Sequence, residues 1–304
     1  MGEREAAITN EIERLRVQRD AVILAHNYQR PEIQDIADFV GDSLGLSRRA
    51  AETDAEVIVF CGVHFMAETA SILSPGKTVI LPDLAAGCPM ADMITAGGLR
   101  EMKKEHPGLP VVCYVNSSAE VKAESDVCCT SANAESVALA VDGDELIMVP
   151  DRNLAAHVAS RTGKRVIPWQ GFCPTHERIA AGQILSLKEA HPSAVFVAHP
   201  ECRPEVLALA DEITSTSGMY RYVSETGASE VILGTEVGIG YGLSRENPGK
   251  RLYFPSDDTV CPNMKRITLE KVAASLRDLG PVVSVPERIR NRALKAVERM
   301  VEVG

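Results

Sequence analysis

Three cysteines in this chain stand directly before proline: Cys88-Pro89, Cys173-Pro174 and Cys261-Pro262, 85 and 88 residues apart. With eight cysteines and 17 prolines in 304 residues, chance supplies fewer than one such pair, so three in register carry information. Thiolates are ligands for soft metals. Three without a recurring fourth favour an iron–sulfur cluster with one iron left open, because a closed zinc site normally takes four ligands. An open iron is a Lewis acid able to grip a hydroxyl or a carboxylate, and dehydration is the natural reaction class for it. The competing reading makes these thiols small buried apolar side chains, the usual state of free cysteine. Their shared spacing weighs against that. Cys61, Cys113, Cys128, Cys129 and Cys202 lie off the repeat position and read as packing residues.

Polar groups recur as well. Behind one strand-like segment in each third of the chain come His26, Asn27 and Tyr28, then Tyr114, Asn116 and Ser117, then His199 and Glu201. Further on stand Ser43, Ser131 and Thr216, 88 and 85 residues apart, each before a segment of helical pattern. Hydroxyls and free N–H groups at helix starts hold carboxylate or phosphate oxygens, although plain N-capping is the bland alternative. His176, three residues past Cys173, could be a cluster ligand, a general acid or a donor to another ligand. Glu236 and Tyr241 follow another recurring strand and could equally be surface groups.

The elements that must position these residues also repeat. Val22–Asn27 is echoed by Val111–Asn116 and Val195–Pro200, and Glu56–Val59 by Glu145–Met148 and Glu230–Leu233. A Gly-Lys pair precedes the last strand of each unit, at Gly76-Lys77, Gly163-Lys164 and Gly249-Lys250. Between the strands lie segments of helical length, such as Ile33–Glu52, Ala134–Val141 and Pro204–Glu212. Alternating strands and helices need crossovers and give parallel sheets covered on both faces. The expectation is α/β: three similar three-layer α/β/α sandwich domains with parallel sheets around a pseudo-threefold axis. Their limits fall at residues 1–88, 89–173 and 174–261, with the tail 262–304 joining the first. In an open α/β sheet the ligand site lies beyond the carboxyl ends of the strands, where both polar layers and the Cys-Pro pairs fall.

Bulk properties narrow the function. A net charge of −10 without a sustained basic run gives no footprint for nucleic acid or an anionic membrane. The N-terminus is a charged amphipathic stretch rather than a secretory signal, and the apolar runs are too short to span a bilayer. A cytoplasmic protein with reduced thiols is expected.

The chain resembles the quinolinate synthase family along nearly its whole length. The likeness is carried by Ala25-His-Asn-Tyr-Gln29, Gly41-Asp-Ser43, Tyr114-Val-Asn-Ser-Ser118, Trp169-Gln-Gly-Phe-Cys173, His199-Pro-Glu-Cys202, Gly234-Thr-Glu236 and Cys261-Pro-Asn-Met-Lys265, among others. The resemblance implies condensation of iminoaspartate with dihydroxyacetone phosphate to quinolinate, with loss of phosphate and two waters, in NAD biosynthesis. It implies one 4Fe-4S cluster on Cys88, Cys173 and Cys261, and aspartate oxidase as a possible source of the imine. It also implies a substrate-binding set of His26, Ser43, Tyr114, Asn116, Ser131, His199, Glu201 and Thr216. Glu201, the carboxylate of the first polar layer, is the choice for proton transfer with His199 or Tyr28, and His176 lies nearby. Where the family often has a basic pair after Gly238-Ile-Gly240, this chain reads Tyr241-Gly242. Two rivals stay open: another three-cysteine cluster dehydratase acting on a hydroxy acid, and a structural or sensor zinc site closed by His176.

Overall fold

The computed structural model describes residues 2–303. Among them, twelve strands form three separate four-stranded sheets, every pairing within a sheet being parallel. The first holds β1 (Ala21–His26), β2 (Phe39–Gly41), β3 (Val57–Cys61) and β4 (Thr78–Ile80) in the order β2-β1-β3-β4. The second holds β5 (Val111–Tyr114), β6 (Val127–Cys129), β7 (Glu145–Val149) and β8 (Arg165–Pro168), and the third β9 (Val195–Ala198), β10 (Glu212–Ile213), β11 (Glu230–Gly234) and β12 (Arg251–Tyr253). Both repeat the same order, β6-β5-β7-β8 and β10-β9-β11-β12. Helices flank the sheets, so the chain is three α/β/α units. The inner strands β1, β3 and β11 are buried at every position, as a parallel sheet covered on both faces requires.

Two side chains recur with the strands and explain why the repeat is so regular. Asp38, Asp126 and Asp211 each donate their backbone N–H to a carbonyl of the first strand of their unit, Ile23, Val111 and Phe196. Each carboxylate also accepts from that strand's N–H: Ile23 at 2.8 Å, Val111 at 2.8 Å and Phe196 at 2.7 Å. The lysines of the Gly-Lys pairs turn back onto carbonyls at or just past the end of an earlier helix. Lys77 Nζ donates to Ala55 O at 2.7 Å, Lys164 to Val141 O, and Lys250 to Val223 O and to Thr226 O at 2.6 Å. A cation on the otherwise unpaired carbonyls at a helix C-terminus satisfies them and complements the dipole.

The sequence reading found three strands per unit where the structure has four. Segment 33–52 is not one helix but Pro31–Ile36, then β2, then Ser43–Glu52. Likewise 204–212 is the short helix Pro204–Leu207 followed by β10. These edge strands run two or three residues, too short for any periodicity to show.

The tail ties units together. Helix Leu269–Asp278 lies on the N-terminal helix Glu3–Gln18, whose Ile12 and Leu15 are buried. Helix Glu287–Glu302 buries Ala293, Ala296, Val297 and Met300 against helix His64–Leu73 of the first unit and against β6 and helix Ala119–Lys122 of the second. Asn133 Nδ2 fastens its end by donating to Met300 O at 2.9 Å and Val303 O at 2.6 Å. Its docking thus reaches beyond the first unit. No helix among the described residues is long and apolar enough to cross a membrane.

If the Gly-Lys lysines are helix clamps, Lys164→Met will lower unfolding free energy by about 1–2 kcal/mol in urea titration while activity per folded molecule stays unchanged. An unaltered midpoint would remove the clamp role.

Candidate active site

A cavity of about 220 Å³ opens where the strand ends of the three units face one another. Its wall includes Cys88, Cys173 and Cys261 and also His26, Tyr28, Ser43, Tyr114, Asn116, Ser131, His176, His199, Glu201, Thr216 and Glu236, so the expected cluster, substrate-binding and proton-transfer residues line one cavity. Asn27 stands behind the wall, donating from Nδ2 to Thr216 Oγ1 at 2.8 Å. Tyr241 is elsewhere, bonding Asp35 at 2.7 Å on the surface. Cys61, Cys113, Cys128, Cys129 and Cys202 are fully buried.

The cysteines share one local device. Cys88 and Cys173 are the N-caps of the short helices Pro89–Asp92 and Pro174–Glu177, and Cys261 leads through Pro262 into the turn Met264–Arg266. Proline suits the first helical position, where its fixed φ fits and a missing N–H is no loss. The N–H groups that follow turn back toward sulfur: Met90 and Ala91 to Cys88, His176 to Cys173, Asn263 and Met264 to Cys261. Burial pushes all three thiols up, Cys88 to about 12. The charge of Cys261 is felt at Cys88, and those of Cys88 and Cys261 at Cys173, so each pair is in electrostatic reach.

Glu201 is the hub of the acid–base groups. Its side chain is buried; Oε1 accepts from Tyr114 OH at 2.7 Å and Asn116 Nδ2 at 3.3 Å, and Oε2 lies 2.7 Å from His176 Nδ1. Burial works against its ionisation, but the facing His176 and the bonds from His176 and Tyr114 outweigh it and hold the carboxyl below its ordinary range. An ionised Glu201 fixes the proton of His176 on Nδ1, leaving Nε2 to accept. Nε2 is 3.0 Å from Thr235 Oγ1, which is 2.5 Å from Tyr28 OH. A continuous hydrogen-bonded chain Glu201–His176–Thr235–Tyr28 results. Burial and the Glu201 charge raise the phenols of Tyr28 and Tyr114 well above their ordinary value, so both remain donors.

The remaining imidazoles are neutral. Burial drives His26 and His199 down to about 3. In each, Nδ1 accepts a backbone N–H two residues on, from Tyr28 at 3.1 Å and Glu201 at 3.3 Å, which leaves the proton on Nε2. That of His199 faces Ser131 Oγ at 3.2 Å, and the ring stacks on His176 at 4.7 Å.

The helix starts resolve the capping question. The caps are Asp42, accepting from Gly45 N at 2.8 Å, and Ser215, accepting from Gly218 N at 3.2 Å. Ser43 and Thr216 are the residues after them, and their hydroxyls are not spent on capping.

Sequence reasoning did not single out Thr235 as a site residue. It stands beyond β11, where the other units carry Gly62 after β3 and Pro150 after β7, so no repeat flagged it. Asn153 was missed for the same reason: its Nδ2 donates to Glu201 O at 3.0 Å and braces the hub from behind.

A triplicated parallel α/β protein that spends its strand ends on one enclosed group of thiols and acid–base residues is built as an enzyme rather than as a binding module. Comparison with known proteins is specific about which kind. Residues 10–302 match the family model described as quinolinate synthetase A protein. The chain is 56% identical over 299 residues to quinolinate synthase 1 of Methanosarcina acetivorans, covering 98% of each chain. It is 58% identical over 296 residues to quinolinate synthase of Dehalococcoides mccartyi strain CBDB1, covering 97% of this chain and 98% of that one. The relation to the enzyme of Geobacter metallireducens is 57% over 296 residues, 97% of each chain. The chain belongs to the quinolinate synthase family.

The neutral histidines set a pH dependence. Their folded pKa values lie below the ordinary 6.5, so their contribution to stability is complete above pH 6.5 and is lost as the unfolded chain takes up protons on acidification toward 3. Urea midpoints of metal-free protein will fall over that window, and His199→Gln will flatten the slope. A slope unchanged by the substitution would mean that His199 is not held neutral.

Proposed function

We propose that this chain condenses iminoaspartate with dihydroxyacetone phosphate to quinolinate, releasing phosphate and two waters, with a 4Fe-4S cluster on Cys88, Cys173 and Cys261. The observation that carries the reading is the relay Glu201–His176–Thr235–Tyr28 opening on the same cavity as the three repeated thiols. We place the protein in the cytoplasm, with aspartate oxidase as the source of the imine, and keep 1–88, 89–173 and 174–261 as its domain limits.

The donor set fits the cluster. A single tetrahedral ion would draw thiolates to about 3.8 Å from one another. Among the described residues, the group whose ligand atoms crowd within 4.8 Å is Cys173, His176 and Glu201, not the three cysteines. Three thiols that share a cavity without meeting at single-ion spacing suit a larger inorganic body. The crowded group itself is explained by hydrogen bonds. His176 Nδ1 faces Glu201 at 2.7 Å and Cys173 Sγ at 3.2 Å while Nε2 faces Thr235 at 3.0 Å, so both ring nitrogens are engaged by protein groups. When bound, a cluster with an open iron supplies a Lewis acid for a hydroxyl or carboxylate of the reacting molecule.

The protein's own groups do the rest. Both substrates are anionic, and the helices Ser43–Glu52 and Thr216–Glu225 start at the cavity with their positive ends, the hydroxyl of Ser43 and that of Thr216, which accepts from Asn27 and keeps its own proton to donate. Asn116 Oδ1 is buried without a partner and accepts from an N–H or O–H of the ligand. His26 and His199, protonated on Nε2, are neutral donors. The chain from Glu201 through His176 and Thr235 orients Tyr28 OH as a donor and passes a proton to or from a ligand group bound beside it. The same chain returns the proton as each hydroxyl departs. Burial keeps the relay dry and orients the two reactants for carbon–carbon bond formation.

Anaerobically reconstituted protein, given both substrates, will form quinolinate and contain iron and sulfide. Stoichiometric zinc without iron, or turnover of a hydroxy acid alone, would replace this reading. Glu201→Gln will keep the iron and lose about 10²–10⁴-fold in kcat. Cys173→Ser will lose both iron and activity, and Cys113→Ser neither.

A further inference from the structure

The thiol of Cys261 is seated differently from the other two. Cys88 and Cys173 each begin an α-helical turn, whereas Cys261 ends a stretch without strand or helix that runs from β12 to Met264. What holds it is Glu236, fully buried two residues past β11. Glu236 Oε1 accepts the backbone N–H of Cys261 at 3.2 Å, and Oε2 accepts that of Gly238 at 2.7 Å. Lys265 Nζ lies 3.0 Å from Oε1 and 3.2 Å from Oε2, and also donates to the backbone carbonyl of Tyr28. The fit is tight. A Cβ on Gly238 would lie 2.4 Å from Lys265 Nζ and 2.7 Å from both Glu236 Oε2 and Tyr28 O, so only glycine lets the pair close. One buried ion pair therefore reaches the third cysteine on one side and the relay tyrosine of the first unit on the other.

We propose that Glu236, held by Lys265, is a positioning residue for Cys261, fixing the third thiol on the cavity wall and registering it with Tyr28. Its bearing on a cluster rests on the function proposed above; the seating of the thiol does not. Removing one partner of a buried pair would strand a charge and confuse seating with folding, whereas replacing both with groups of similar volume is commonly tolerated. Two double variants separate the roles. E236Q/K265M removes the ion pair and the acceptor for the Gly238 N–H but keeps an amide oxygen for the Cys261 N–H; E236L/K265M removes every acceptor.

The test is the alkylation rate of each cysteine by iodoacetamide in metal-free protein, read by peptide mass spectrometry, with iron per chain after anaerobic reconstitution as a second reading. In E236L/K265M, Cys261 will react about tenfold faster, the loss of one hydrogen bond, while Cys88 and Cys173 stay at parental rates. That variant will also retain less iron, and E236Q/K265M, which keeps the acceptor for the Cys261 N–H, will leave Cys261 slower to react than E236L/K265M does. Parental rates at Cys261 in E236L/K265M, or an equal acceleration of all three cysteines in both variants, overturns the proposal. Hydrogen exchange at the Cys261 amide of the parent protects the test against a variant that does not fold: the Glu236 bond requires slow exchange there, and fast exchange also overturns it. A parent that takes up no iron sinks the cluster reading but leaves these rates to judge the seating.

Discussion

A carboxylate removed from water costs several kcal/mol unless donors replace its hydration, and the centre of this molecule is organised around meeting that demand at Glu201. The donors come from different places in the chain: Tyr114 and Asn116 behind β5, His176 from the turn after Cys173, and Asn153 bracing the backbone from the far side. Tyr114, Asn116 and Asn153 reach Glu201 only when the second and third units are docked. Through Thr235 and Tyr28 the same network extends to the first unit. The charge is thus both a chemical group and a condition on assembly, since a misdocked unit would leave it buried and unpaired.

The threefold repeat divides into a part kept for folding and a part altered for chemistry. Asp38, Asp126 and Asp211 perform one task at equivalent positions, as do Lys77, Lys164 and Lys250, because every sheet needs the same strand entrance and helix end satisfied. The Cys-Pro turns belong to this symmetric part, with N–H groups returning to sulfur in each. Beyond the strands the symmetry fails. The first layer reads His26 and Tyr28 in one unit, Tyr114 and Asn116 in the next, and His199 and Glu201 in the third. A ligand with distinct ends needs such inequality.

This division also explains how much was legible beforehand. Repetition exposed the three-sheet plan, the three cysteines and the polar layers, because a physical requirement met three times leaves three copies of its signature. The edge strands β2, β6 and β10 escaped, being too short to show alternation. The lysine pairs were visible without their purpose, since a bond to a carbonyl at a helix end depends on how the chain returns in space. Thr235 and Asn153 were hidden for a different reason: they act on Glu201 and His176 once each, so no counterpart in another unit drew attention to them. Glu236 stood in view but could not be told from a surface acid, because its burial depends on Lys265, 29 residues away.

Symmetric thiols and asymmetric polar groups divide the control of a reaction between them. Three Cys-Pro turns bring sulfur to the cavity wall from three units, and in the proposed function they would hold the cluster without dictating which way a substrate lies on it. Orientation falls to the unequal layer, in which an anionic relay occupies one side while neutral imidazoles and helix starts occupy the others. Under the proposed function, a carboxylate or phosphate of the substrate would be repelled by Glu201 and drawn to the helix starts at Ser43 and Thr216. In the proposed reaction the ionised Glu201 and the helix starts therefore act on different parts of the bound molecule.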